Sequence, residues 1–290
     1  MKKTLINFLF LAWFASLALV LAPFAAAQGA KDAVPLATGG NYGSCGVRTA
    51  SQIVFTRFDF EKGGEFIFQK DLATGREQEL GPGTEPDLRG PRLAYVATQA
   101  GQEGIWLQDL NTGARQPLTT HPADHTPVLL PDGKKVIFSS FRDDRLGLFL
   151  ADIASGTVKR LPAENAIQPA VAPDGQTVAF VRQNQIWLLD LKSAKETRLT
   201  RDGDNFAPAF SPDGTKLVYV EQSIQPLANV AVLELRGLAR RLLTAGGTEA
   251  RSPRFTPDGA AVVYIGLDAR KDNGVAAGNA VWRLRLGTPF

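Results

Sequence analysis

A phrase that returns about every 42 residues constrains this chain more than any other feature. Pro131-Asp132-Gly133, Pro173-Asp174-Gly175, Pro212-Asp213-Gly214 and Pro257-Asp258-Gly259 each stand four positions after another proline, at 127, 169, 208 and 253. Pro86 extends that proline column, whose steps are 41, 42, 39 and 45 residues. Periodicity of this size marks a repeat architecture, in which each unit buries its apolar face against its neighbours. Within the phrase, Pro presets φ, Asp bonds its own local backbone and Gly accepts a positive φ. The phrase is therefore a tight reversal between two apolar strands.

Further columns run through the repeat. After each reversal comes an apolar strand with an aromatic at a fixed place: Phe55, Tyr95, Phe138, Phe180, Tyr219 and Tyr264. A second column reads Phe68, Trp106, Phe149, Trp187, Ala231 and Trp282, and three residues later stand Asp71, Asp109, Asp152, Asp190, Glu234 and Arg285. Turns such as Thr112-Gly113 and Ser155-Gly156 then lead into a more polar strand ending in Leu80, Leu118, Leu161, Leu199 or Leu243. Six units of four strands predict an all-β fold, a six-bladed β-propeller of antiparallel four-stranded blades, with a linear solenoid as the alternative. The last unit stops at Phe290 without a fourth strand, whereas Val34-Pro35-Leu36 resembles the fourth strand Gln116-Pro117-Leu118. Residues 33–38 are thus expected to close the ring by completing the last blade. Cys45 falls in the innermost strand of the first blade, where a buried, inert thiol is expected.

Composition fits this reading. With 44% hydrophobic residues the chain is not disordered, and its 28 Gly and 18 Pro suit many short elements better than long helices. One cysteine excludes an intrachain disulfide framework and any cysteine-based zinc site. Lys2 and Lys3, an uncharged stretch from Thr4 to Ala27 and the small residues before Gln28 read as a secretory signal peptide over 1–27. A single propeller domain over 28–290 and a periplasmic or secreted location follow. The alternative is an uncleaved membrane anchor and a structural scaffold. Two of the excess positive charges sit in that leader, so the net charge of +3 is no sign of a nucleic-acid partner.

The phrase Phe210-Ser211-Pro212-Asp213-Gly214-Thr215-Lys216-Leu217-Val218-Tyr219, strands of the type Leu188-Leu189-Asp190-Leu191 and the segment Phe138-Ser139-Ser140-Phe141-Arg142-Asp143-Asp144-Arg145 resemble the WD-like repeats of the TolB family. The resemblance covers roughly residues 33–290. It implies an exported six-bladed propeller that binds partner proteins of the cell envelope, such as a Pal-like lipoprotein, in a Tol-Pal-type role. Members of that family carry an α/β domain before the propeller, and here the first propeller strand is expected almost directly after the leader. Similar repeats also form the propeller of prolyl-oligopeptidase-type peptidases, which add a hydrolase domain.

Catalytic motifs are sparse. No Gly-x-Ser-x-Gly elbow is present, and Tyr42-Gly43-Ser44-Cys45-Gly46 places Tyr where its first glycine belongs. His121 and His125 share one loop with Asp124, a spacing that places two rings together on a helix but not before Pro127. Asp202-Gly203-Asp204-Asn205 could offer oxygens to Ca²⁺ in the central channel, and otherwise reads as a polar turn with no cofactor. The equivalent loops would bring Tyr42, Glu85, His125, Gln168, Asn205 and Arg251 to one mouth of that channel, with mixed charges that suit a protein or small-ligand contact. Arg115, Lys159, Arg160, Lys195, Arg198, Arg240 and Arg241 fall in outer strands, where charge resists edge-to-edge pairing. The recurring aspartates of the third strands read as turn formers. The expected function is a non-catalytic, monomeric protein-binding module. The alternative is a metal-dependent sugar-acid lyase or lactonase-like propeller enzyme with a divalent metal at the channel mouth.

Overall fold

A computed structural model describes residues 33–222, 228–244, 248–267, 271–272, 275–276 and 278–287. The leader expected over 1–27 lies outside the described residues. Six four-stranded antiparallel sheets follow one another along the chain as the blades of a propeller. Blade 1 holds Tyr42–Thr49, Gln52–Asp59, Gly64–Asp71 and Glu77–Pro82, and blade 3 holds Asp124–Leu129, Lys135–Arg142, Arg145–Asp152 and Val158–Glu164. In blade 6 the order runs Arg251–Phe255, Ala261–Leu267, Asn279–Arg285 and then Ala33–Gly40, so the N-terminal strand is the outer strand of the last blade. The expected closure is thereby found: Ala33 opposes Leu284 and Val34 opposes Arg283. Among the described residues, one further two-stranded element, Lys271–Asp272 with Val275–Ala276, lies between the second and third strands of blade 6.

The two aromatic columns are cross-strand partners in every blade. Phe55 opposes Phe68, Tyr95 opposes Trp106, Phe138 opposes Phe149, Phe180 opposes Trp187, Tyr219 opposes Ala231 and Tyr264 opposes Trp282. The first column is buried throughout, and each fully buried ring contributes about 1.5–3 kcal/mol of transfer free energy. Phe55 stacks on Phe68 at 5.9 Å and Phe138 on Phe149 at 5.8 Å. Arginines at the ends of second strands lie over these rings, with Arg57 4.1 Å from the Phe68 centroid and Arg182 5.0 Å from that of Phe180.

Turn chemistry holds the lower face, where first strands reverse into second strands. Gly133, Gly175, Gly214 and Gly259 have φ between 65° and 72°, and each aspartate of the phrase accepts an N–H two residues on. A Cβ at Gly214 would lie 3.4 Å from Pro173 Cδ, so each turn rests on the turn of the blade before it. The third-strand aspartates act the same way. Asp109 accepts the N–H groups of Asn111 and Thr112, and Asp152 those of Ala154 and Ser155. These bonds hold both carboxyls below the usual range.

The innermost strands carry a feature that periodicity alone did not show. The residue before each column proline, Glu85, Thr126, Gln168, Ala207 or Ser252, has a left-handed φ of 47° to 53°. The ladder to the second strand breaks register at that point. Innermost strands are sheet edges facing the channel, where a proline without an N–H and a local bulge are tolerated. The bulge frees backbone groups for bonds between blades. Cys45 uses one of them, its thiol donating to the Ser252 carbonyl at 3.3 Å and tying blade 1 to blade 6.

Candidate functional site

The channel has two unlike ends. Because strands alternate in direction, the upper mouth is formed where innermost strands begin and where second strands turn into third strands.

The six expected rim residues do not share one environment there. Tyr42 is 2% exposed, its ring edge-on to Phe55 at 5.2 Å and its hydroxyl donating to the Thr38 carbonyl. Asn205 is 1% exposed and donates to the Asp202 carbonyl at 2.9 Å, bracing its own loop. Glu85 and Gln168 occupy the left-handed positions and reach sideways around the channel. Glu85 Oε2 accepts the Thr126 N–H at 2.7 Å, and Gln168 Oε1 accepts the Ala207 N–H at 2.8 Å. Arg251 is half-buried at the start of blade 6 and forms no ion pair among the described residues.

His125 lies between two acids. Its Nδ1 is 3.4 Å from Glu85 Oε2, and the neighbouring Asp124 is fully buried. Burial alone would lower the His125 pKa, but the Glu85 and Asp124 carboxylates outweigh it and hold the imidazole above its ordinary value. Asp124 accepts from Ser140 Oγ at 2.6 Å and from Arg142 Nε at 3.1 Å, and His121 Nδ1 approaches it only to 3.8 Å. The two imidazoles therefore face different carboxylates. Glu65 adds a further acid, its carboxyl pushed up by burial and by Glu85. Among the described residues no group of three or more His, Cys, Asp or Glu is placed to hold a metal ion.

Two features of the surface went unread in the sequence. On the upper face the hairpin after Gln52–Asp59 presents Phe60, 75% exposed, edge-on to Phe58 at 5.0 Å. Two aromatics flanking Asp59 in a turn were the available signal. In the lower half, the channel holds a cavity of about 360 Å³. It is lined by Arg48, Asp87, Arg89 and Arg254, with Phe210, Phe255 and the prolines of the turns as apolar wall. Asp87 and Arg254 directly follow column prolines, where other blades carry Val128, Ala170 and Ala209. That break in the repeat's symmetry was legible.

The outer-strand arginines turn out to be ties as well as edge charges. Arg115 of blade 2 donates to the Leu80 carbonyl of blade 1, Arg160 donates to Leu146 at 3.1 Å, and Arg240 pairs with Glu221. Partly buried carbonyls and the buried Glu221 carboxylate offer these guanidiniums fixed acceptors.

A family model described as the TolB beta propeller domain matches residues 53–276. A Tol-Pal system protein TolB from Francisella tularensis subsp. tularensis is 29% identical over 196 residues, covering 61% of this chain and 45% of that protein. A protein TolB homolog of Chlorobium chlorochromatii is 29% identical over 137 residues, covering 45% of this chain and 31% of the relative. The chain thus spans less than half the length of these curated relatives. Among solved structures, TolB from Acinetobacter baumannii superposes with a TM-score of 0.69 at 22% identity, covering 82% of this chain and 64% of that one. An oligogalacturonate lyase in complex with manganese superposes with a TM-score of 0.57 at 18% identity, covering 91% and 95%. At such identities the likeness is one of fold. With most of the blades inside the matched span, the chain belongs to the TolB beta propeller domain family.

Proposed function

We propose that this protein is an exported propeller of the cell envelope that binds a partner protein and catalyses no reaction, in the manner of TolB in a Tol-Pal-type system. The observation that carries the reading is the TolB beta propeller domain match over 53–276, joined by curated relatives that are themselves named Tol-Pal system protein TolB. The partner class is a Pal-like lipoprotein and the compartment is the periplasm. The contact face is the upper mouth. There Glu85, His125, Gln168 and Arg251 offer mixed charge around the channel, and Phe58 and Phe60 offer an exposed aromatic anchor beside it. Rigid blades hold these groups in place, which suits docking of a folded partner.

Binding of the full chain to the Pal-like lipoprotein of its own organism, measured by biolayer interferometry, tests the reading. Phe60→Ala and the triple variant Glu85→Gln/His125→Ala/Arg251→Ala should each weaken binding by about tenfold or more. Unchanged affinity in both would reject the upper mouth as the contact, and no binding at all would reject the partner class. The second reading, a metal-dependent sugar-acid lyase or lactonase, is favoured by the likeness in fold to oligogalacturonate lyase. It requires a stoichiometric divalent metal, which elemental analysis of the purified protein would detect.

A further inference from the structure

The lower half of the channel is chemically unlike the upper mouth. Three arginines and one carboxylate reach a cavity of about 360 Å³, near the lower end of the range that takes small molecules. Among the described residues none of Arg48, Arg89 and Arg254 forms an ion pair. Arg48 donates to Gln69 Oε1 at 3.0 Å and Arg254 to the Pro253 carbonyl at 2.9 Å, both neutral acceptors, and Arg89 is exposed at the cavity's rim. The carboxylates of the nearby turns are occupied elsewhere. Asp174 accepts from Gln176 and Thr177, Asp213 from Ser211 and Thr215, and Asp258 from Thr256 and Ala260. Asp87 spends one oxygen on the Leu129 N–H at 2.8 Å. Burial lifts its carboxyl above the usual range, while Arg89 and Arg254 act against that rise from beyond ion-pair distance.

Unpaired guanidiniums beside apolar walls select for one ligand chemistry. Arginine presents a fork of donors matched to a carboxylate, while Phe210, Phe255 and the turn prolines offer no hydrogen bond to the rest of the molecule. The same charges repel a divalent cation from this half of the channel. We propose that the lower channel is a binding site for a small carboxylate with an apolar body, held by Arg254 and Arg89 and walled by Phe210 and Phe255. The site shares no residue with the upper mouth, so the two readings stand or fall separately.

Isothermal titration of the full chain at low ionic strength tests this with benzoate, its neutral analogue benzamide and inorganic phosphate. Benzoate should saturate with a Kd on the order of 1 mM, as expected for so few atoms. Benzamide and phosphate should each bind at least about tenfold more weakly, and Arg254→Gln should weaken benzoate by about tenfold. Asp87→Asn should tighten benzoate by removing the one like charge. Arg89→Gln, an exposed substitution that leaves the blades intact, should weaken benzoate should Arg254→Gln fail to fold. No saturable benzoate binding, equal binding of benzoate and benzamide, tighter binding of phosphate, or unaltered affinity in the arginine variants would each overturn the proposal.

Discussion

The ring closes through strand pairing, and a single side chain locks the strand at the seam. Asn279, at the start of the third strand of blade 6, opposes Gly40 in the N-terminal strand and reaches on to Tyr42 in blade 1. Its Oδ1 accepts the Tyr42 N–H at 2.7 Å, and its Nδ2 donates to the Tyr42 carbonyl at 2.9 Å. One amide thus satisfies both backbone groups of a residue 237 positions away. Asn279→Ala removes both bonds and leaves the Tyr42 N–H and carbonyl without this partner. At about 1 kcal/mol per bond, with a further penalty for groups partly shielded from water, the loss is about 2–3 kcal/mol. For a domain of this size that corresponds to a fall in Tm of about 4–6 °C. Scanning calorimetry reads it directly, with Asn111→Ala in an exposed turn as the control. Asn279→Asp keeps the acceptor but sets a carboxylate oxygen against the Tyr42 carbonyl, so its Tm should also fall below that of wild type. A fall of less than about 1 °C for Asn279→Ala, or one equal to that of the control, would refute the clasp.

Other parts of the structure make equally direct statements. Gly104 has φ 105°, and a Cβ there would lie 2.4 Å from the Thr119 carbonyl oxygen, so Gly104→Ala should cost about 3 kcal/mol or more in a urea denaturation series. The His125–Glu85 contact holds the histidine above its ordinary value of 6.5, so its stabilisation is present below that pH and fades as pH rises through the folded-state value. His125→Gln and Glu85→Gln should both flatten this part of the pH dependence of the urea midpoint, and a slope unchanged in both would contradict the pairing. Burial raises the Cys45 thiol to about 12, so a disulfide reagent at pH 8 should label it only after unfolding. Labelling of the native protein within seconds would exclude the buried, hydrogen-bonded thiol.

The architecture was legible because the blade is a unit of turn chemistry repeated six times. A tight reversal needs Pro, Asp and Gly together, and an apolar strand behind it needs an aromatic at one height. Both demands recur in register, so the columns at Phe55 and Phe68 are also partners in space. Closure was legible for a related reason. A missing outer strand leaves an edge that must pair, and Val34-Pro35-Leu36 carried the matching pattern. The bulge before each column proline escaped notice because left-handed φ at Glu85, Gln168 or Ser252 has no residue signature comparable to glycine's. There the geometry is set by the channel wall, where adjacent innermost strands exchange side-chain-to-backbone bonds.

Positions read as rim residues show why a site is harder to read than a fold. Tyr42, Asn205 and Arg251 begin equivalent strands, yet Tyr42 closes the ring, Asn205 braces a loop and Arg251 stands without an ion pair among the described residues. Equivalence in the repeat fixes where a backbone runs and leaves open which way a side chain turns, because that depends on the neighbouring blade's carbonyls and carboxylates. The informative positions are those where one blade departs from the others. Asp87 and Arg254 stand where other blades place valine or alanine, and Phe60 stands where a turn would ordinarily carry a polar group. A charge lining a channel costs desolvation unless it is paired, hydrogen-bonded or bound. In a protein built from six near-copies of one unit, such departures are the positions for which the repeat itself gives no account.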